Sequence, residues 1–192
     1  MSASDRLLGF IRSTPEAGEP LRSFGFDVWR KENGEGSGLV SGEALEPIAG
    51  EFAGGAYFLG VEVKGRRPVV FASSEGECGL IADDLPGALG IIIGLQWQDC
   101  LGFSGGGDLE VMQVSARHLE RKSIEDRPEI VEERARLLGV LSLPQVPVAD
   151  LVVRLWEAVS RTEAAYVVAD GAGQEYGPMF GESSEPRFGG WG

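Results

Sequence analysis

Histidine occurs once and cysteine only twice among the 192 residues, and lysine and arginine together number 17 against 30 aspartates and glutamates. Each shortage removes a class of function. His118 alone cannot build a catalytic zinc site, and neither HExxH nor paired histidines are present. Cys78 and Cys100 lie far apart without a CxxC pattern, which excludes a zinc ribbon or a disulfide framework and leaves two buried free thiols as the expectation. No apolar run approaches the ~20 residues of a membrane span, and Met1 precedes SASDRLLGF with no basic region or cleavage signature. A soluble, cytoplasmic chain without membrane contact is therefore expected.

A net charge of -13 repels phosphate backbones, so direct nucleic-acid binding is not expected. The densest basic stretch, Arg117 to Lys122, contains Glu120 and runs into Glu125 and Asp126, and reads as a solvated loop. Neither the P-loop spacing nor G-x-G-x-x-G occurs, which leaves nucleotide cradling and a cofactor without support.

What the chain does have is apolar content, 43%, sufficient for one compact domain, assigned to residues 1–170. DRLLGFI fits a short helix or strand, and STPEAGEP is loop chemistry. FGFDVW alternates as a strand, with Phe24, Phe26 and Val28 on one side. KENGEGSG reads as a turn around Asn33-Gly34, and EALEPIAGEF as a short helical turn. Tyr57, Leu59, Val61 and Val63 share one face of a strand over 56–63. KGRR is a tight turn, 68–72 a second strand, SSEGE a turn and CGLIA a third strand: an antiparallel meander.

An aspartate, Asp83 or Asp84, then caps a helix that tolerates Pro86 in its first turn. Its apolar residues Leu85, Ala88, Leu89, Ile92, Ile93 and Leu95 nearly encircle it, so it must be buried. LEVMQV alternates as a further strand, and DRPEIVEERARLL opens on a possible capping box, Asp126 with Glu129, ahead of a surface helix. Pro147 starts a helix with Val148, Leu151, Val152, Leu155, Trp156 and Val159 at helical spacing, and AAYVVA closes the domain as a strand. Trp29, Trp97 and Trp156 are expected in the core. Residues 171–192 form a glycine-rich tail, flexible by composition. Its spaced aromatics Tyr176, Phe180, Phe188 and Trp191 offer docking to its own domain or a neighbour.

GFSGG, residues 102–106, matches the G-x-S-x-G nucleophile elbow, which needs a strand before the serine and a helix after it. Here the order is reversed, and Ser104 would depend on His118 as base and an acid such as Asp108. A serine hydrolase using Ser104 is therefore a minor alternative to a plain glycine-rich connection. Acid pairs such as Asp83-Asp84, Glu132-Glu133 and Glu75 with Glu77 sit at caps, turns or helix faces, where carboxylates are ordinary.

The order of motifs from Leu45 to Leu101 resembles the SUKH superfamily, which holds SMI/KNR-type regulators and many bacterial immunity proteins against polymorphic toxins. The residues that carry the resemblance are Ile48-Ala49, Gly54-Gly55, Tyr57 to Leu59, Pro68-Val69, Ile81-Ala82 and Leu85 to Leu89. Within the first forty residues only Glu32-Asn33-Gly34 corresponds. The resemblance implies an α+β fold with helices packed on one side of a mostly antiparallel sheet, and a non-catalytic module that acts by binding protein. An immunity protein would occlude a secreted toxin such as a nuclease, its acidic residues steering a basic partner. Glu75, Glu77, Asp83 and Asp84, which flank the ends of the third strand, are the partner-binding candidates. A regulatory or scaffold protein of the same fold is the alternative within this class.

Overall fold

The computed structural model describes residues 2–162 and 164–180. Its amino-terminal helix, α1 (Ala3–Ser13), starts on a reciprocal cap: the Ser2 hydroxyl accepts from the Asp5 N–H at 3.1 Å, and the Asp5 carboxylate accepts from the Ser2 N–H at 2.8 Å. The segment expected as loop continues as α2 (Pro15–Ser23). Pro15 occupies the first turn, where no N–H is needed, and Ala17 and Leu21 are buried on one face, which outweighs the bond lost at Pro20.

FGFDVW is not a strand. Phe26 and Val28 are buried as their alternation implied, but the backbone makes a single bridge, Asp27 with Gly50. The chain then winds into a 3-10 turn (Lys31–Gly34) before the two-residue β1 (Gly38–Leu39). The expected helical turn is instead β2 (Glu46–Gly50), a strand at the sheet edge, where Pro47 is tolerated.

β2 pairs antiparallel with β3 (Ala56–Leu59), β3 with β4 (Val69–Ala72) and β4 with β5 (Glu77–Ala82), so the expected meander is present with one strand more. Alternation divides its side chains between two faces. Tyr57, Phe71 and Ile81 meet the helices, while Phe58, Val70 and Leu80 face a smaller cluster with Leu39 and Val168. The strand ends at Leu59, and Val61 and Val63 are exposed on a hairpin extension past the helical layer, held by mutual hydrogen bonds between Val63 and Arg66.

The capped helix α3 (Leu85–Gly94) buries Leu85, Ala88, Leu89 and Ile91 to Ile93. At roughly 1.5–3 kcal/mol for each fully buried large aliphatic, it is the largest single contributor to the core. After α4 (Trp97–Gly102), LEVMQV belongs to α5 (Leu109–Asp126) and not to a strand. Six residues of mixed pattern fit either period, and Asp108 decides it locally by accepting from the Val111 N–H at 3.0 Å. Met112 and Ala116, four apart, are buried, whereas Val111 and Val114 face outward. RHLERK therefore lies on a helix and not in a loop. The expected capping box is absent: Asp126 ends α5, Glu129 makes no side-chain cap to α6 (Ile130–Val140), and Arg127 binds Glu133 at 2.7 Å.

Helix α7 (Val148–Ser160) follows Pro147 as expected and packs on β5 and α5. AAYVVA begins as a 3-10 turn (Ala164–Tyr166), and only its end is a strand, β6 (Val168–Ala169), paired with β1 in a separate two-stranded sheet over the second face. The fold is α+β, with a mostly antiparallel sheet whose main helical layer lies on one face. Part of the tail is ordered: β7 (Gly177–Pro178) runs parallel to β5, Met179 is buried, and the Phe180 ring lies over Gly107. Phe188 and Trp191 lie outside the described residues. Among the described residues no helix is long and apolar enough to cross a membrane.

Candidate functional site

A meander sends alternate turns to opposite ends of its sheet, and this separates the four acidic candidates. Glu75 and Glu77 are exposed at the β4–β5 turn, where the Ser73 hydroxyl accepts from both of their N–H groups. Asp83 and Asp84 lie at the far end of β5. The Asp84 side chain accepts from the Gly87 N–H at 2.9 Å and caps α3. Asp83 sits between Arg161 at 3.0 Å and Arg66 at 3.9 Å, so its charge is locally offset.

The β2–β3 turn shares the end occupied by Glu75, since a Cβ at Gly54 would stand 3.2 Å from Ser74. On this turn Phe52 is 92% exposed, more than any other large apolar side chain described. The backbone beneath it is firmly held. Glu51 N–H donates to Gly55 O at 2.9 Å, and Gly54 N–H donates to Glu51 O at 3.2 Å. Asn33 Nδ2 donates to both Glu51 O and Gly55 O at 3.0 Å. The buried Glu51 carboxylate accepts from Gln98 Nε2 of α4 at 2.6 Å. Gly55 permits close packing, because a Cβ there would meet the Glu51 carboxylate at 2.5 Å and the Phe71 ring at 2.6 Å.

Below the turn, Tyr57, Phe71 and Trp97 pack as tilted and edge-on rings with centroids 4.9 to 6.3 Å apart. Burial pushes the Tyr57 phenol far above its ordinary range, with Glu51 adding to the effect, so it stays neutral. The Arg30 guanidinium lies 5.7 Å from the Phe52 ring centre. Trp29, expected in the core, is half exposed, its ring edge resting on Gly18 of α2, while Trp97 is buried and Trp156 donates to Gly107 O at 2.7 Å.

Phe52 escaped the sequence reading, which followed Tyr57 and the Gly54-Gly55 pair. The available signal was a large aromatic inside a turn, out of step with the strand that follows.

The glycine-rich connection joins two helices, α4 and α5. Ser104 is buried, and its hydroxyl accepts from the Gly107 N–H at 3.1 Å. Asp108 is engaged as the α5 cap. His118 is exposed, its Nδ1 3.1 Å from Arg121 Nη2, and it stands roughly 14 Å along α5 from the helix start. Ser104, Asp108 and His118 are not brought together as a triad. Among the described residues, no group of three or more His, Cys, Asp or Glu side chains converges to hold a metal ion.

Comparison of the chain with protein-family models, curated proteins and solved structures finds no match.

Proposed function

We infer that this chain is a non-catalytic protein-binding module, and specifically an immunity-type protein that covers a basic toxin domain such as a nuclease. The observation that carries this reading is Phe52, an aromatic side chain held almost entirely in water on a turn that a buried carboxylate, an asparagine and a glutamine hold in place. An anchor fixed before binding loses little conformational freedom when it enters a partner's pocket, and aromatic anchors dominate interface energetics.

Glu75 and Glu77 at the same end, together with the net charge of -13, supply the field that draws in a basic partner. The SUKH-like order of motifs between Leu45 and Leu101 supports the same class of function. Asp83 and Asp84 lie at the opposite end of β5 from Phe52, where one faces two arginines and the other caps α3.

The test looks for a toxin gene beside this one and takes its purified toxin domain as the partner. Phe52→Ala is expected to weaken binding at least about tenfold, chiefly through faster dissociation, and to relieve inhibition of the toxin. Glu75→Lys with Glu77→Lys is expected to slow association at low salt and little at high salt. Absence of a neighbouring toxin that the wild-type protein binds, or unchanged binding by both variants, defeats the proposal.

A further inference from the structure

A second site of different chemistry lies among the helices. Arg134 of α6 is 8% exposed, and both oxygens of Glu120 on α5 crowd its single Nη1 atom, at 2.8 and 2.6 Å. Its buried Nε has no hydrogen-bond acceptor among the described residues. A guanidinium offers two neighbouring edges to carboxylates, and Glu120 binds Nη1 alone, leaving Nε, on the edge it shares with Nη2, unanswered. A buried donor without an acceptor is costly, and that cost disappears when a ligand supplies one.

Arg134 and Glu120 both line a cleft of about 410 Å³ between α3, α6, the α6–α7 linker and the start of α7. The volume suits a small molecule. Apart from that ion pair, Gln145 and two glycines, its lining is apolar, including Val131, Leu138, Val146 and Leu151. The two glycines of α3 that border it differ in kind. A Cβ at Gly94 would strike Leu151 at 2.4 Å, so packing accounts for that glycine. A Cβ at Gly90 would meet nothing within 4 Å, so no packing among the described residues accounts for a glycine that weakens the helix interior there. Its missing side chain leaves the cleft wide.

The geometry points to a binding site for a small carboxylic acid with an apolar body, its carboxylate on the Nε–Nη2 edge of Arg134 and its body along Gly90, Val131 and Leu138. An amine is disfavoured because both Glu120 oxygens are already engaged, and the unused valence is a donor that requires an acceptor. The site is separate from the Phe52 surface and does not depend on the protein having a toxin partner.

Octanoate serves as the probe, titrated calorimetrically into the full chain, with 1-octanol and octylamine as controls. Octanoate is expected to bind at least about tenfold more tightly than either control, the difference that a charge-assisted hydrogen bond provides. Gly90→Leu fills the cleft without touching the ion pair and is expected to retain the circular dichroism spectrum and lose octanoate binding. If that variant does not fold, Val131→Trp narrows the same cleft from α6, with the same expected loss. Arg134→Gln is expected to abolish the preference for acid over alcohol. Failure of octanoate to bind the wild-type protein, equal binding of octanol or octylamine, or undiminished octanoate binding by the folded cleft-filling variant overturns the assignment.

Discussion

Arg67 Nη1 lies 2.8 Å from the Asp5 carboxylate, tying the β3–β4 hairpin to the first turn of α1 across sixty-two positions of sequence. The same nitrogen lies 2.8 Å from Glu46, and Arg67 Nε donates to Gly60 O at 3.0 Å. One guanidinium thus joins the amino-terminal helix, the edge strand and the hairpin.

Removing this link changes acid stability. The hydrogen bond from Arg67, with those from Ser2, holds the Asp5 carboxyl at about 2, below its ordinary 3.8. Because the folded-state value is depressed, the stabilisation is complete above the ordinary value and is lost as pH falls from near 4 towards 2. Arg67→Ala is expected to cost about 1–2 kcal/mol at neutral pH, a partly exposed charged hydrogen-bond network being worth that much. It is also expected to flatten the loss of stability across that acid window. Urea denaturation midpoints measured from pH 7 down to pH 2 check both.

Both thiols should resist modification in the folded protein. Burial, with Asp99 adding to it, pushes Cys100 up to about 11, and burial raises Cys78 as well, against the effect of the hydrogen bond its sulfur accepts from the Val168 N–H at 3.2 Å. A thiol whose value is raised stays protonated and unreactive at pH 8. Ellman's reagent is expected to titrate neither cysteine in the native state and both in guanidinium chloride. Rapid native reaction at either position contradicts the packing.

Two glycines make room for the carboxy-terminal strap. A Cβ at Gly79 would stand 2.5 Å from the Met179 side chain and 2.9 Å from the Thr162 hydroxyl. At Gly107, where φ is +91°, it would stand 2.9 Å from the Phe180 ring. Gly79→Val and Gly107→Ala are each expected to destabilise the chain by about 1–3 kcal/mol, the second partly through backbone strain. Gly79→Val should also unseat β7. Hydrogen exchange at the Gly177 amide, which donates to Gly76 O at 2.7 Å, is expected to lose protection in Gly79→Val and to be unaffected by Phe52→Ala.

Where local pattern and tertiary burial agreed, the reading of the residues held. The meander from Tyr57 to Ala82, a cap at Asp83 or Asp84 and the encircled apolar helix α3 were all visible, because alternation, turn glycines and a capping carboxylate act over a few residues. LEVMQV shows the opposite case: its short alternation was equally compatible with a helix, and the choice came from Asp108 and from burial of Met112 and Ala116. STPEAGEP was misjudged as loop for a related reason, since Pro15 and Pro20 signal a break only until Ala17 and Leu21 are seen to face the core. Of the acidic candidates, Glu75 and Glu77 share an end with Phe52, whereas Asp83 and Asp84 are held by contacts with Arg66, Arg161 and Gly87 that lie outside any local window.

The amino-acid sequence by itself determined a sparse supply of reactive side chains, an acidic character and a short-looped sheet backed by an apolar helix, because composition and hydrophobic period act without knowledge of the whole. Only the tertiary structure decided that Phe52 is presented to water, that Arg134 keeps an unanswered donor beside an open cleft, and that the tail returns to β5. Each of these depends on groups far apart in the chain meeting at distances of a few ångströms, and no spacing within a single segment encodes such a meeting.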